Sequence, residues 1–306
     1  MKKKTKSARK SAGKKKKSKK PELMVGGQAV IEGVMMRTKD KYAIAVRHQK
    51  GNIVMKKEKH ISLTKRKKLL GLPFIRGIIV LVETMVLGFR ALTFSANQGL
   101  HDEKEEIGTL ELILTFVISV VFALALFKLI PLGVATLFKN KLGGSNFLFN
   151  LIDGAAKFII LILYILAISL MKDVKRIFQY HGAEHKTVYC YEADKKLTVK
   201  NVKKHSKAHP RCGTTFILVV LLLSVLFYLL IPFETNFWLK LGIRILFLPI
   251  ITGISYEWIR YTSKHPDKPH SKIMAAPGLF VQKLTTREPD DKQIEVAIKA
   301  LEGVVK

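Results

Sequence analysis

Apolar periodicity divides the chain into a polar start, a short β-like stretch, one striped helix and a series of long apolar runs. Four runs, Leu110–Phe138, Phe147–Met171, Thr214–Pro232 and Leu241–Ile259, each hold the ~20 apolar residues needed to cross about 30 Å of hydrocarbon. The first is interrupted by Lys128, the second by Asp153 and Lys157, and the fourth by Arg244. Asp153 and Lys157 are four apart, so they can pair on one helix face. Residues 72–98 differ. Arg76, Glu83 and Arg90 recur every seven positions and stack into one charged stripe. That pattern predicts an amphipathic helix lying in the membrane interface; the alternative is a stripe that lines a polar cavity.

Over residues 23–66 the pattern is of strand type. Tyr42, Ile44 and Val46 alternate, Gln49–Asn52 supplies turn chemistry, and Ile53 and Met55 resume the alternation. This predicts a β-hairpin with one apolar face. At the other end Asp290 can cap a helix whose stripe is Ile294, Ala297, Ile298 and Leu301, and such a helix needs a surface to cover. The hairpin and the helix covering residues 72–98 are the two candidates. The fold class expected is a polytopic α-helical membrane protein. It has about four transmembrane helices plus an amphipathic helix, and a small cytoplasmic α+β portion from the N-terminal hairpin and the C-terminal segment.

Charge sets the topology. Of 306 residues, 53 are Lys or Arg and 23 are Asp or Glu, a net charge of +30. In a soluble protein that balance would point to nucleic acid. Here the cations lie between apolar runs, so a soluble globular protein is excluded and a nucleic-acid partner is not expected. With four spans, segments 1–108, 172–213 and 260–306 share one side and hold 47 Lys and Arg, against three in the opposite loops. The positive-inside rule puts both termini and the 172–213 loop in the cytoplasm of a bacterial cell membrane. A fifth span over residues 72–98 would carry the basic 172–213 loop to the far side from the tail. Residues 1–22, with twelve Lys or Arg in the first twenty, are expected to form a disordered tail against anionic lipid head groups of the bilayer. A membrane-protein partner is a further expectation. Two cysteines, Cys190 and Cys212, argue against a disulfide-stapled fold.

The candidate chemistry is concentrated in the 172–213 loop. On a helix, His181 and His185 lie one turn apart on one face, where both imidazoles can reach a single ion, and Glu184 stands beside them as a general base. The spacing is that of the inverted zinc-protease pattern. His209 and Cys212 are three apart, workable for a chelate at a turn shaped by Pro210 and Gly213. Imidazole with thiolate selects a divalent transition metal, zinc before magnesium or calcium. An open site would hold the ion with His181, His185 and His209 or Cys212; a closed four-ligand site would only clamp the loop. Cys190 reads as packing.

Six strings carry a resemblance: GGQAVIEGVMMR from Gly26, SAN from Ser95, YHGAEHKT from Tyr180, HPRCGT from His209, SYE from Ser255 and LTTREPDD from Leu284. Across about residues 24–303 the chain resembles the YqhQ-type bacterial membrane family, a domain of unknown function whose members are catalogued as predicted metal-dependent enzymes. The resemblance implies an integral membrane protein with a metal. It carries the site onto His181, Glu184, His185, His209 and Cys212, with Glu32, Arg37, Glu257 and Arg287 as satellites. The function expected is metal-dependent hydrolysis at a cytoplasm-facing site. The alternatives are a membrane scaffold or regulator with a structural metal, and a transporter.

Overall fold

The computed structural model describes residues 25–99, 109–265 and 268–306. The Lys-rich tail, and with it the expected contact to lipid head groups, lies outside them. Four strands, β1 Gly26–Val30, β2 Gly33–Arg37, β3 Lys41–Arg47 and β4 Ile53–Lys59, form one antiparallel meander. The hairpin expected from residue 42 onward is its second half. The first half is closed by Ile31 and Glu32, with Val30 opposite Gly33 and Glu32 at φ 51°. Neither residue is a usual hairpin-turn residue, so the sequence does not announce this turn.

The sheet has two apolar faces instead of the one expected. Val34, Met36, Ala43 and Ala45 point one way and Val30, Met35, Tyr42, Ile44 and Val46 the other. The small Ala43 and Ala45 let helices approach closely on the first face, while the larger side chains meet a separate helix on the second.

Eleven helices follow among the described residues: α1 Leu63–Arg66, α2 Ile75–Gly99, α3 Thr109–Leu124, α4 Ile130–Leu137, α5 Asn146–Ser169, α6 Lys172–Glu192, α7 Val199–Val202, α8 Gly213–Tyr228, α9 Phe237–Lys264, α10 Pro269–Thr285 and α11 Asp291–Val305. A π-helical turn, Ala125–Leu129, joins α3 to α4 without a break. Four helical stretches are long and apolar enough to cross a membrane: Ile75–Gln98, Ile113–Leu137, Asn146–Ser169 and Phe237–Lys264. Three match the expected spans. The fourth is the striped segment, whereas the expected span 214–232 contains a helix of only 16 residues. That helix ends at Tyr228, and tight turns at Leu229–Ile231 lead to Pro232, which has no N–H with which to continue a helix.

Two helices cover the first sheet face. Ile294, Ala297 and Leu301 of α11 and Tyr180, Ala183 and Val188 of α6 join Val34, Met36, Ala43 and Ala45 in one core, together with the buried Cys190. The C-terminal helix therefore finds its surface on the N-terminal sheet. Its start carries a full capping box, with Asp290 accepting from Gln293 N and Gln293 Oε1 accepting from Asp290 N. Leu87 and Ala91 of α2 close the opposite face. The expected 172–213 loop is thus mainly ordered helix.

Buried charge gathers within the long apolar helices. Asp153 on α5 pairs with Lys157 one turn on and accepts from Arg244 Nη1 of α9 at 2.6 Å. Arg244 Nη2 donates to Asn150 Oδ1 at 2.9 Å. Lys128, on the π-helical turn, donates to Tyr228 OH at 3.0 Å.

Candidate functional site

The site begins with the helical spacing of α6. His181 and His185 stand one turn apart, their ring centroids 4.4 Å from each other. The chain returns after α7, and Cys212 at the N-cap of α8 brings its sulfur within 3.2 Å of His181 Nε2. Donor atoms of His181, His185 and Cys212 all lie within 4.8 Å of one another. For a tetrahedral zinc with ordinary bond lengths, an N···S edge is about 3.5 Å.

Which imidazole nitrogens face the sulfur is decided by the main chain. His181 Nδ1 lies 2.9 Å from the Thr285 carbonyl and His185 Nδ1 lies 2.6 Å from the Lys207 carbonyl. A carbonyl oxygen only accepts, so both Nδ1 atoms carry the proton. Each Nε2 is left with its lone pair free for a metal or a proton donor. Two such lone pairs face one sulfur, which can offer at most one proton. Burial also pushes the His185 imidazole below its ordinary pKa, which keeps it neutral.

His209 is brought alongside but joins differently. Its ring lies 5.7 Å from that of His185 and 4.4 Å from that of Tyr189. Its Nδ1 accepts from Arg211 N at 3.3 Å and its Nε2 faces Glu192 at 3.4 Å. Burial lowers its pKa to about 4, opposed by the charge of Glu184. With both nitrogens engaged elsewhere, His209 is not in the donor group, although the spacing His209–Cys212 predicted a chelate. Its backbone is held instead: Gln282 accepts from His209 N at 2.7 Å and donates to His209 O at 2.8 Å.

Glu184 is buried between α6 and β1. Burial raises its pKa above the ordinary carboxylate value, while His181, His209 and the Gly27 N–H pull the other way. Gly27 makes that approach feasible: a Cβ there would lie 2.8 Å from the Glu184 carboxyl carbon. Gly27 and Gly33 of the N-terminal string thus serve close approaches, whereas a Cβ on Gly26 would meet nothing within 4 Å. Glu184 lies outside the three-residue donor group.

The satellites separate. Arg287 is adjacent: its N–H donates to Phe178 O at 2.9 Å, and a Cβ on Gly182 would lie 2.1 Å from its carbonyl. Glu32 accepts from Arg176 Nη2 at 2.5 Å and from Tyr180 OH at 3.2 Å, which ties the first hairpin to α6. Arg37 donates to Thr84 Oγ1 on α2 at 2.9 Å. Glu257 pairs with Arg76, whose Nε donates at 2.6 Å, so two long helices are clasped away from the donor group. Sequence reasoning missed Thr285, Lys207 and Gln282. The first two act through carbonyls that any residue carries, and nothing in the pattern around Gln282 marks it.

The family model described as "Protein of unknown function (DUF1385)" matches residues 72–306. The chain belongs to that family. A relative, "Uncharacterized protein YqhQ" of Bacillus subtilis (strain 168), is 37% identical over 299 residues, covering 92% of each chain. No solved structure matches significantly. The family match begins at residue 72 and therefore includes all three donors, whereas Gly27 precedes it.

Proposed function

We propose that this chain is a multi-pass membrane protein with a cytoplasm-facing transition-metal site that supports hydrolysis. His181, His185 and Cys212 would hold the ion, zinc most readily, and Glu184 would be the general base. The observation that carries the reading is the anchoring of both Nδ1 atoms to main-chain carbonyls, which turns two Nε2 lone pairs toward one thiol. A bound zinc would supply Lewis acidity at neutral pH. The protein's part is to orient the imidazoles and keep Glu184 apart from the donors. Burial pushes its carboxyl pKa upward, the direction that makes a carboxylate a stronger base.

The membrane arrangement is supported by parity. The sheet, α6 and α11 share one core, so they lie on one side of any bilayer. Between the sheet and α6, only an even number of α2, the continuous α3–α4 and α5 can cross. The helix that packs on the sheet is α2, and it is the one that stays on that side. Between α6 and α11 the long α9 would cross, so one of the shorter α8 and α10 would cross with it. Helix α8 is apolar throughout, whereas α10 carries Lys272, Lys283 and an internal Pro277, which favours α8. This arrangement agrees with the 47-to-three distribution of cations, which supports a cytoplasmic side for both described ends of the chain.

Elemental analysis of the detergent-purified protein tests the site. About one zinc per chain is expected, with most of it lost in His181→Ala and Cys212→Ser and retained in Glu184→Gln. Loss of the ion in Glu184→Gln would make Glu184 a ligand and end its role as base. A second reading rests on the 3.2 Å contact between His181 and Cys212 at a helix N-terminus, an arrangement that activates a cysteine nucleophile. It predicts alkylation of Cys212 by iodoacetamide without prior chelation. The metal reading predicts alkylation only after chelation.

A further inference from the structure

Beside the donor group lies a cavity of about 470 Å³. Leu166, in the last turn of α5, and Leu284 of α10 form its apolar end. Lys175, Lys207, Lys283 and Arg287 line the rest, and Glu288 is its one lining carboxylate. Glu288 is already paired with Lys186 at 2.7 Å and lies 4.0 Å from Lys207. The cavity therefore carries excess positive charge. Arg287 lines the cavity with a guanidinium whose fork suits phosphate oxygens, and its buried Nε has no hydrogen-bond partner among the described residues.

The wall between cavity and donor group is one residue thick. Lys207 lines the cavity while its carbonyl accepts from His185, and Leu284 and Thr286 flank Thr285, whose carbonyl accepts from His181. The apolar end meets the terminus of a helix long enough to cross a membrane. A ligand filling this space needs an anionic oxygen cluster at one end and hydrocarbon at the other.

We infer that this cavity seats the phosphate-bearing head group of an anionic membrane amphiphile. This names the ligand class that the donor group would meet and to that extent rests on the proposed function; the binding itself does not require the metal. A lipid phosphate and a soluble phosphate ester share the recognition chemistry, and only the first uses the leucines.

The test measures binding to the full chain in a nonionic detergent, by native mass spectrometry, of dioctanoyl phosphatidate, dioctanoyl phosphatidylcholine and glycerol 3-phosphate. Phosphatidate should bind at least about tenfold more tightly than either of the others, and Arg287→Gln should weaken it by about tenfold or more, as loss of a charge-assisted contact requires. Lys283→Gln, at an exposed position, should weaken it by a smaller factor and guards against misfolding of the first variant. Equal binding of phosphatidylcholine, or phosphatidate binding unaltered in both variants, overturns the inference. Glycerol 3-phosphate binding as tightly as phosphatidate overturns the membrane source and leaves a soluble ester. Cys212→Ser should lose the ion yet keep phosphatidate binding within about twofold, so failure of the metal reading and failure of the lipid reading give different results.

Discussion

Gly182 shows how one missing Cβ holds the site together. A Cβ would sit 2.1 Å from the Arg287 carbonyl, a backbone atom that cannot swing aside. Gly182→Ala must therefore push the 285–287 segment away from α6, taking with it the Thr285 carbonyl that orients His181. Overpacking of this kind costs about 1–3 kcal/mol. Thermal melting of the purified variant should register that loss, and its zinc content should fall although no ligand has been touched. Normal zinc with a lowered melting temperature would separate Gly182 from the site. His181, Glu184 and His185 could be read from the sequence because one helix carries all three at a helical spacing. The exclusion of His209 from the donor group could not. It depends on Arg211 N and Glu192 claiming its two nitrogens, and on partners of the other imidazoles that lie 22 and 104 positions away.

In the proposed arrangement, helix α2 and helix α8 reverse the order that length alone would give them. By length and apolarity α2 is a span and α8 is short. Yet Leu87 and Ala91 of α2 close the sheet. Val82, Met85 and Val86 stay exposed on the same helix, as a helix lying between sheet and lipid would have them. Under that arrangement α8 crosses in its place. Cysteine labelling in intact cells checks this, in a Cys190→Ala, Cys212→Ala background. Lys141→Cys should react with a membrane-impermeant maleimide, while Lys50→Cys and Lys195→Cys should be protected until the cells are permeabilised. Labelling of Lys50→Cys and Lys195→Cys from opposite sides would mean an odd number of crossings between them and would overturn the common side of sheet and α6. The striped pattern of Arg76, Glu83 and Arg90 marks α2 as unusual in the sequence. What each charge meets was not legible, since Glu257, Ser62 and the Leu63 N–H are the partners of the first two.

Across the whole molecule, two polar constructions are held apart by the apolar helices. One is the donor group under the sheet. The other is the Asp153–Lys157–Arg244 network inside α5 and α9, where one carboxylate faces two cations. In hydrocarbon a cation stripped of its partner is costly, and breaking a buried pair from one side costs about 3–5 kcal/mol. Asp153→Asn should lower the melting temperature and the yield of folded protein. Adding Arg244→Leu should recover part of the loss, because the uncompensated charge goes with it. If Asp153→Asn melts like the parent chain, the network does not hold the bundle. Zinc content should not follow these changes in whatever protein stays folded, because α6 and the loop before α8 bear the donors.

Local rules determined much of this protein. Apolar runs of span length, cations between them, strand alternation from Tyr42 to Met55, the Asp290 cap and the one-turn spacing of His181 and His185 all follow from neighbours in the chain, where periodicity and charge act directly. The tertiary structure decided which of the apolar runs became helices of span length and packed α2 on the sheet. It also covered the second sheet face, turned the Nε2 lone pairs toward Cys212 and set Arg287 beside a cavity. Each of those depends on a main-chain carbonyl, a vacant guanidinium nitrogen or a packed face supplied from far along the sequence. Such groups have no residue type of their own to read, and they acquire a role only when the chain brings them into contact.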